Sequence, residues 1–123
     1  MSRKYNILYI DDEIDNLMAF KRLFRRQYNI FVTEDALEAT DLIPKHGIDL
    51  VLSDYKMPKL TGVQLLEKVS QTYPKIARLI VTSYGDLDSI RTATQKGIVQ
   101  EVISKPWDIE TITQIFDKNL GEA

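Results

Sequence analysis

A small set of side chains able to do chemistry falls at the ends of apolar segments. Asp11 and Asp12 follow Tyr5–Ile10 (YNILYI), and Asp54 follows Ile48–Ser53 (IDLVLS). Ala77–Thr82 (ARLIVT) ends in a hydroxyl with Ser83 behind it, and Val99–Ser104 leads into Lys105-Pro106. Carboxylates held within a few ångströms repel, and one takes up a proton unless a cation intervenes. Lys105 supplies one positive charge, and a hard divalent ion such as Mg²⁺ supplies the rest through oxygen ligands. The chemistry such a group supports is phosphoryl transfer to a carboxylate. Ionised Asp54 attacks phosphorus in line and gives an acyl phosphate. No general base is needed, because the ionised acid has no proton to lose. The metal neutralises charge on the equatorial oxygens, and Lys105 and the Thr82 hydroxyl bind them.

Each residue has a plainer reading when taken alone. An acidic pair at a helix start favours the helix dipole. An Asp at a strand end is commonly a turn residue, and a Thr-Ser pair after a strand is commonly a cap. What chance does not readily produce is their joint placement on four strand ends.

The elements that must bring them together alternate regularly. Tyr5–Ile10, Ile30–Thr33, Ile48–Ser53, Ala77–Thr82 and Val99–Ser104 read as short buried strands. Glu13–Gln27 reads as a helix with Ile14, Leu17, Met18 and Phe24 near one face. Asp35 and Glu38 open a second helix carrying Ala36, Ala39 and Ile43, with Pro44 and Gly47 ending it. Val63, Leu66 and Val69 mark a third helix. Asp86–Gln95 suits a fourth, with Leu87, Ile90 and Ala93 and an end at Gly97. Asp108 caps a fifth, with Ile109, Ile112, Ile115 and Phe116 facing inward. Strands this short and apolar, separated by helices, predict a parallel sheet covered on both faces, and right-handed crossovers make it a doubly wound α/β fold. In such sheets ligands bind outside the carboxyl ends of the strands, where these side chains fall.

The bulk properties narrow the alternatives. The chain has 123 residues, enough for one domain; it reads as a single domain over 1–123 with a structured core at about 5–119. With no cysteine, disulfide scaffolds and thiolate chemistry are excluded, and a reducing, cytoplasmic setting suits the composition. No apolar run is long enough to span a membrane. A net charge of −2 argues against direct nucleic-acid binding by this segment. Lys21, Arg22, Arg25 and Arg26 read first as the solvated face of a helix, with docking of an acidic partner as the sharper reading. His46 is the only histidine and lacks co-ligands; Trp107 reads as a packing residue.

At the residues that carry the chemistry, the chain resembles the receiver domains of two-component response regulators over nearly its whole length. The matching stretches are IDDE (Ile10 to Glu13), SDYKMPKLTG (Ser53 to Gly62), LIVTSY (Leu79 to Tyr84) and SKPW (Ser104 to Trp107). The resemblance implies a flavodoxin-like sheet of strand order 2-1-3-4-5. It implies a sensor histidine kinase or histidine phosphotransfer protein as donor, and Asp54 as phosphoacceptor. Mg²⁺ (or Mn²⁺) would lie on Asp12, Asp54 and the backbone carbonyl of Lys56, with Asp11 acting through water. Thr82 would be the switch hydroxyl and Lys105 the phosphate-binding lysine, with a cis bond to Pro106. The surface from about Asp86 to Leu120 would respond to phosphorylation and bind an output partner or a second copy, while Asn16 and the first helix would dock the kinase.

Departures from the family pattern are Ser83, where a small apolar residue is often found after the threonine, and one that bears on mechanism. Many receivers carry an aromatic residue three positions before the lysine; here it is Val102, and a β-branched side chain does not swing in and out as tyrosine does. The resemblance places Lys56 and Tyr84, two positions beyond the acceptor and two beyond the threonine, on the path of the attacking water, where shielding of the acyl phosphate would slow its hydrolysis. Other classes fit less well. An Asp-nucleophile phosphatase of the haloacid dehalogenase kind wants Asp-x-Asp after the first strand. A flavin or nucleotide binder wants a phosphate-cradling loop there, where Asp11 and Asp12 would repel the phosphate. A receiver-like scaffold that is never phosphorylated is the remaining alternative. The segment carries no output domain, and whether it stands alone or heads a longer protein stays open.

Overall fold

In the computed structural model, which describes residues 4–83 and 87–121, five strands alternate with five helices. In chain order these are β1 (Asn6–Ile10), α1 (Ile14–Phe24), β2 (Asn29–Thr33), α2 (Ala36–His46), β3 (Leu50–Asp54), α3 (Gly62–Thr72), β4 (Ala77–Thr82), α4 (Asp88–Gln95), β5 (Glu101–Ser104) and α5 (Ile109–Leu120). The strands form one parallel sheet in the order β2-β1-β3-β4-β5, the expected doubly wound flavodoxin-like arrangement. No described helix is long and apolar enough to cross a membrane.

Successive strand residues point to opposite faces, so the apolar runs feed two cores. Ile7, Tyr9, Leu50, Leu52, Leu79, Val81 and Ile103 pack beneath Leu17, Phe20 and Phe24 of α1 and Ile112 and Phe116 of α5. Leu8, Ile10, Val51 and Ile80 pack beneath α2, α3 and α4. Both sheet faces are covered, which is why the strands read as continuous apolar runs.

Several local expectations need correction. Ile14 and Met18 of α1 are exposed, and Phe20 takes the inward place. The buried stripe runs through Leu17, Phe20 and Phe24 at helical spacing, and residues 14 and 18 fall on its flank. Ile109 stands at the first position of α5 and is also exposed, as is Leu87 just before α4. Pro44 does not end α2. It lies on the exposed side of the last turn, and the helix runs on to His46. Gly47, at φ 58, ends it in the left-handed conformation that glycine adopts without strain. The first residue of the predicted fourth helix, Asp86, lies outside the described residues; the helix is observed from Asp88. The predicted third and fifth strands each begin two residues later than expected, at Leu50 and Glu101.

Candidate functional site

Register sets the site. Ile10 pairs with Ser53, Asp54 with Val81, and Thr82 with Ser104, so Asp11, Asp54, Thr82 and Lys105 emerge side by side at the carboxyl rim of the sheet. Asp11, Asp12 and Asp54 each offer a carboxylate oxygen, all within 4.8 Å of one another. The Lys105 ammonium donates to Asp54 Oδ2 at 3.0 Å and lies 4.0 Å from Asp11 Oδ2. An open cleft of about 320 Å³ is lined by Asp12, Glu13, Asp54, Lys56, Thr82, Ser83 and Lys105. Burial grades across it: Asp11 and Thr82 are buried, Asp54 is 8% exposed, and Asp12 and Lys56 are open to solvent.

Each side chain is held from its own element. Asp11 accepts from the Tyr9 hydroxyl at 2.6 Å, the Glu13 N–H at 2.9 Å and Asn16 Nδ2 at 3.1 Å. These bonds satisfy a buried carboxylate and fix its orientation. Burial, reinforced by the hydrogen bond to Asp11, pushes the Tyr9 phenol far above its ordinary pKa, so it stays a donor. Sequence reasoning gave Tyr9 no role. The signal was there, because residues two apart on a strand share a side. Lys105 is tied through its N–H to the Thr82 carbonyl at 3.0 Å, and its bond to Pro106 is cis, as expected.

Behind Asp54, Gly62 has a role that composition does not reveal. A Cβ there would lie 2.4 Å from the Asp54 carbonyl oxygen and 2.7 Å from Ile80 Cδ1. The start of α3 therefore packs directly on the backbone of the acidic residue, and the Gly62 N–H donates to the Tyr55 carbonyl at 2.8 Å. Thr61 and Gln64 close a reciprocal capping box at the same helix start.

The charge balance is unfavourable as it stands. Burial, opposed by the Lys105 hydrogen bond and augmented by the nearby Asp11 carboxylate, raises the Asp54 pKa above the ordinary aspartate value. Three clustered carboxylates facing one ammonium are a donor set of hard oxygens short of positive charge, which fits a small divalent cation. Of the remaining expected residues, Val102 is half-buried opposite Ile80 in β5, and Tyr84 lies outside the described residues. His46 stacks on Phe31, and Trp107 packs against Phe20 and Phe24. A second cleft of about 470 Å³ adjoins the site between α1 and the β5–α5 connection, lined by Tyr9, Asn16, Ala19, Ser83, Lys105, Pro106 and Trp107.

Comparison with known proteins agrees with this geometry. The response regulator receiver domain family matches residues 7–117. The sporulation initiation phosphotransferase F of Bacillus subtilis is 31% identical over 115 residues, covering 93% of this chain and 92% of that protein. The hydrogenase transcriptional regulatory protein HoxA of Cupriavidus necator is 29% identical over 119 residues, but these are 94% of this chain and only 25% of that regulator. A response regulator receiver domain protein from Clostridium thermocellum superposes with a TM-score of 0.87 at 28% identity, covering 94% of each chain. With sheet order, acidic rim and sequence in agreement, this chain belongs to the response regulator receiver domains of two-component signalling, whose general function is to accept a phosphoryl group.

Proposed function

We propose that the chain is a single receiver domain in which Asp54 accepts a phosphoryl group from the phosphohistidine of a histidine kinase or phosphotransfer protein. The observation that carries this reading is the position of the Lys105 ammonium, 3.0 Å from Asp54 Oδ2, with oxygens of Asp11 and Asp12 in the same cluster. Ionised Asp54 supplies the attacking oxygen as the bond from phosphorus to the histidine nitrogen breaks. Lys105 is already in reach of the acceptor oxygen and offers its ammonium to the arriving phosphoryl oxygens. Thr82, on the same cleft, offers a hydroxyl to them. Asp11, held by Tyr9, Asn16 and the Glu13 N–H, keeps its charge directed into the cluster. Asp11, Asp12, Asp54 and the Lys56 carbonyl would hold Mg²⁺ or Mn²⁺, which when bound neutralises charge on the phosphoryl oxygens.

The cleft between α1 and the β5–α5 connection supports docking of the kinase beside Asn16. The acyl phosphate carries roughly −1.5 to −2 charges, by analogy with other phosphorylated side chains, in place of the single charge of ionised Asp54, so the rim gains up to about one negative charge and three strong acceptor oxygens. The surface of α4, β5 and α5 then shifts in population toward a form that binds an output partner or a second copy. The domain acts as a cytoplasmic switch rather than a turnover enzyme, reacting with small donors only to phosphorylate itself.

Incubation with Mg²⁺ and acetyl phosphate, followed by intact mass, tests the central assignment. One phosphoryl adduct is expected, absent in Asp54→Asn. An adduct that persists in Asp54→Asn, or none on the unaltered protein, overturns the assignment. Sustained hydrolysis of other phosphoesters would point to a phosphatase instead.

A further inference from the structure

With valine at position 102, a swinging aromatic ring on β5 is not the means by which the site reaches α4. The two ends of α4 are held very differently. Beyond its C-terminal end, the buried Arg78 guanidinium donates to the carbonyls of Gly97 at 3.0 Å and Ile98 at 2.9 Å, as well as to Pro74 and Ile76. At the N-terminal end, Leu87 provides no side-chain cap. There the Ser89 hydroxyl lies 3.0 Å from the Tyr55 phenol oxygen. Among the described residues this is the only side-chain hydrogen bond joining Asp88–Gln95 to another element; the others of that helix are internal.

Tyr55 is covalently next to Asp54. Its N–H donates to the Val81 carbonyl at 3.2 Å and its carbonyl accepts from Gly62 at 2.8 Å. The half-buried ring packs against the core on the α2–α4 side of the sheet. Any displacement of the Asp54 backbone is thus passed to a ring whose far end touches α4. We propose that the Tyr55–Ser89 hydrogen bond is a latch holding the first turn of α4 in the arrangement of the unphosphorylated domain. Tyr55 is the positioning residue that couples Asp54 to that helix. The latch is a neutral, exposed bond, weak enough to yield to a new charge at the rim, whereas the buried carbonyl cage around Arg78 keeps the other end fixed. The helix therefore pivots about its C-terminal end. This inference rests on Asp54 being the phosphoacceptor.

The test uses Tyr55→Phe and Ser89→Ala, which remove the bond and keep the packing. Beryllofluoride with Mg²⁺ serves as the phosphoryl mimic. Since coupling of two sites is reciprocal, releasing the latch should tighten beryllofluoride binding about fivefold, the scale of one lost hydrogen bond. Without beryllofluoride, amide exchange in residues 88–92 of either variant should quicken by a similar factor over the unaltered protein, with residues 94–99 unchanged. The double variant should match either single one. Wild-type affinity and exchange in Tyr55→Phe, or additive effects in the double variant, would overturn the latch while leaving the phosphoacceptor assignment standing. If the unaltered protein takes no beryllofluoride, the phosphoacceptor reading fails and the latch with it.

Discussion

Asp54 sits nearly buried beside two other carboxylates, and among the described residues only Lys105 pairs with them at close range. Its pKa is raised chiefly by burial, so in the folded chain it holds its proton to a higher pH than in the unfolded chain. Over that interval the folded state binds more protons, and stability falls as pH rises. Above both values the full cost of a buried, crowded charge is present. Below the ordinary aspartate range, near 4, both states are protonated and the cost vanishes. Asp54→Asn should therefore raise Tm by a few degrees at neutral pH in the presence of a chelator, and the gain should disappear as the pH is lowered through that range. A thermal melt of both proteins across pH 3.5 to 8 checks this; an Asn variant less stable at neutral pH would contradict the charge argument. Asp11, Asp54, Thr82 and Lys105 were legible as site candidates because each stands at a strand end. The Tyr9 bond that orients Asp11 went unread, because it depends on side-chain reach across one turn of pleat, which the spacing permits but does not require.

The helices place what the strands carry, and they were read less fully than the strands. Five strands and five helices follow from apolar runs and caps, since period and capping chemistry are local. The inward face of α1 was misjudged at Ile14 and Met18, because the facing direction depends on where α1 crosses the sheet. Gly62 shows the same limit. Its reason is a backbone contact with Asp54, made by a residue eight positions away. Gly62→Ala should cost about 2 kcal/mol, the scale of forced overpacking against atoms that cannot give way. Because α3 is displaced against Asp54 itself, phosphoryl acceptance from acetyl phosphate should slow as well. Urea unfolding and the rate of adduct formation check the two effects separately. Arg78 is a second case: among the described residues no carboxylate pairs with it, and burial lowers its pKa below the ordinary arginine value. Replacing it by Met should cost about 3 kcal/mol in the same urea assay, since four carbonyls from two segments lose a charged donor at once. A near-neutral result would mean that water replaces the guanidinium.

Over the whole molecule, two apolar cores stabilise the sheet while its carboxyl rim gathers charges that oppose folding. The order β2-β1-β3-β4-β5 brings β1 and β3 together as neighbours, although α1, β2 and α2 lie between them in the chain. That crossover makes residues 11 and 54 adjacent; the alternation of strand and helix predicts a doubly wound sheet, whereas the strand order itself is implied only by the resemblance to receiver domains. Such a rim couples cation binding to global stability. A ligand bound only by the folded state stabilises it by about 2.7 kcal/mol at one hundred times its Kd. Titration of Mg²⁺ at constant ionic strength should therefore raise the urea midpoint at unchanged m, approaching that value. Asp12→Asn should remove most of the effect without a large loss of stability of its own, because Asp12 is exposed and replaces no core contact. Constant ionic strength matters here, since general screening would also relieve repulsion among the three acids. Stabilisation that NaCl reproduces at equal ionic strength, or that survives in Asp12→Asn, would show that the acids respond to screening alone and hold no ion.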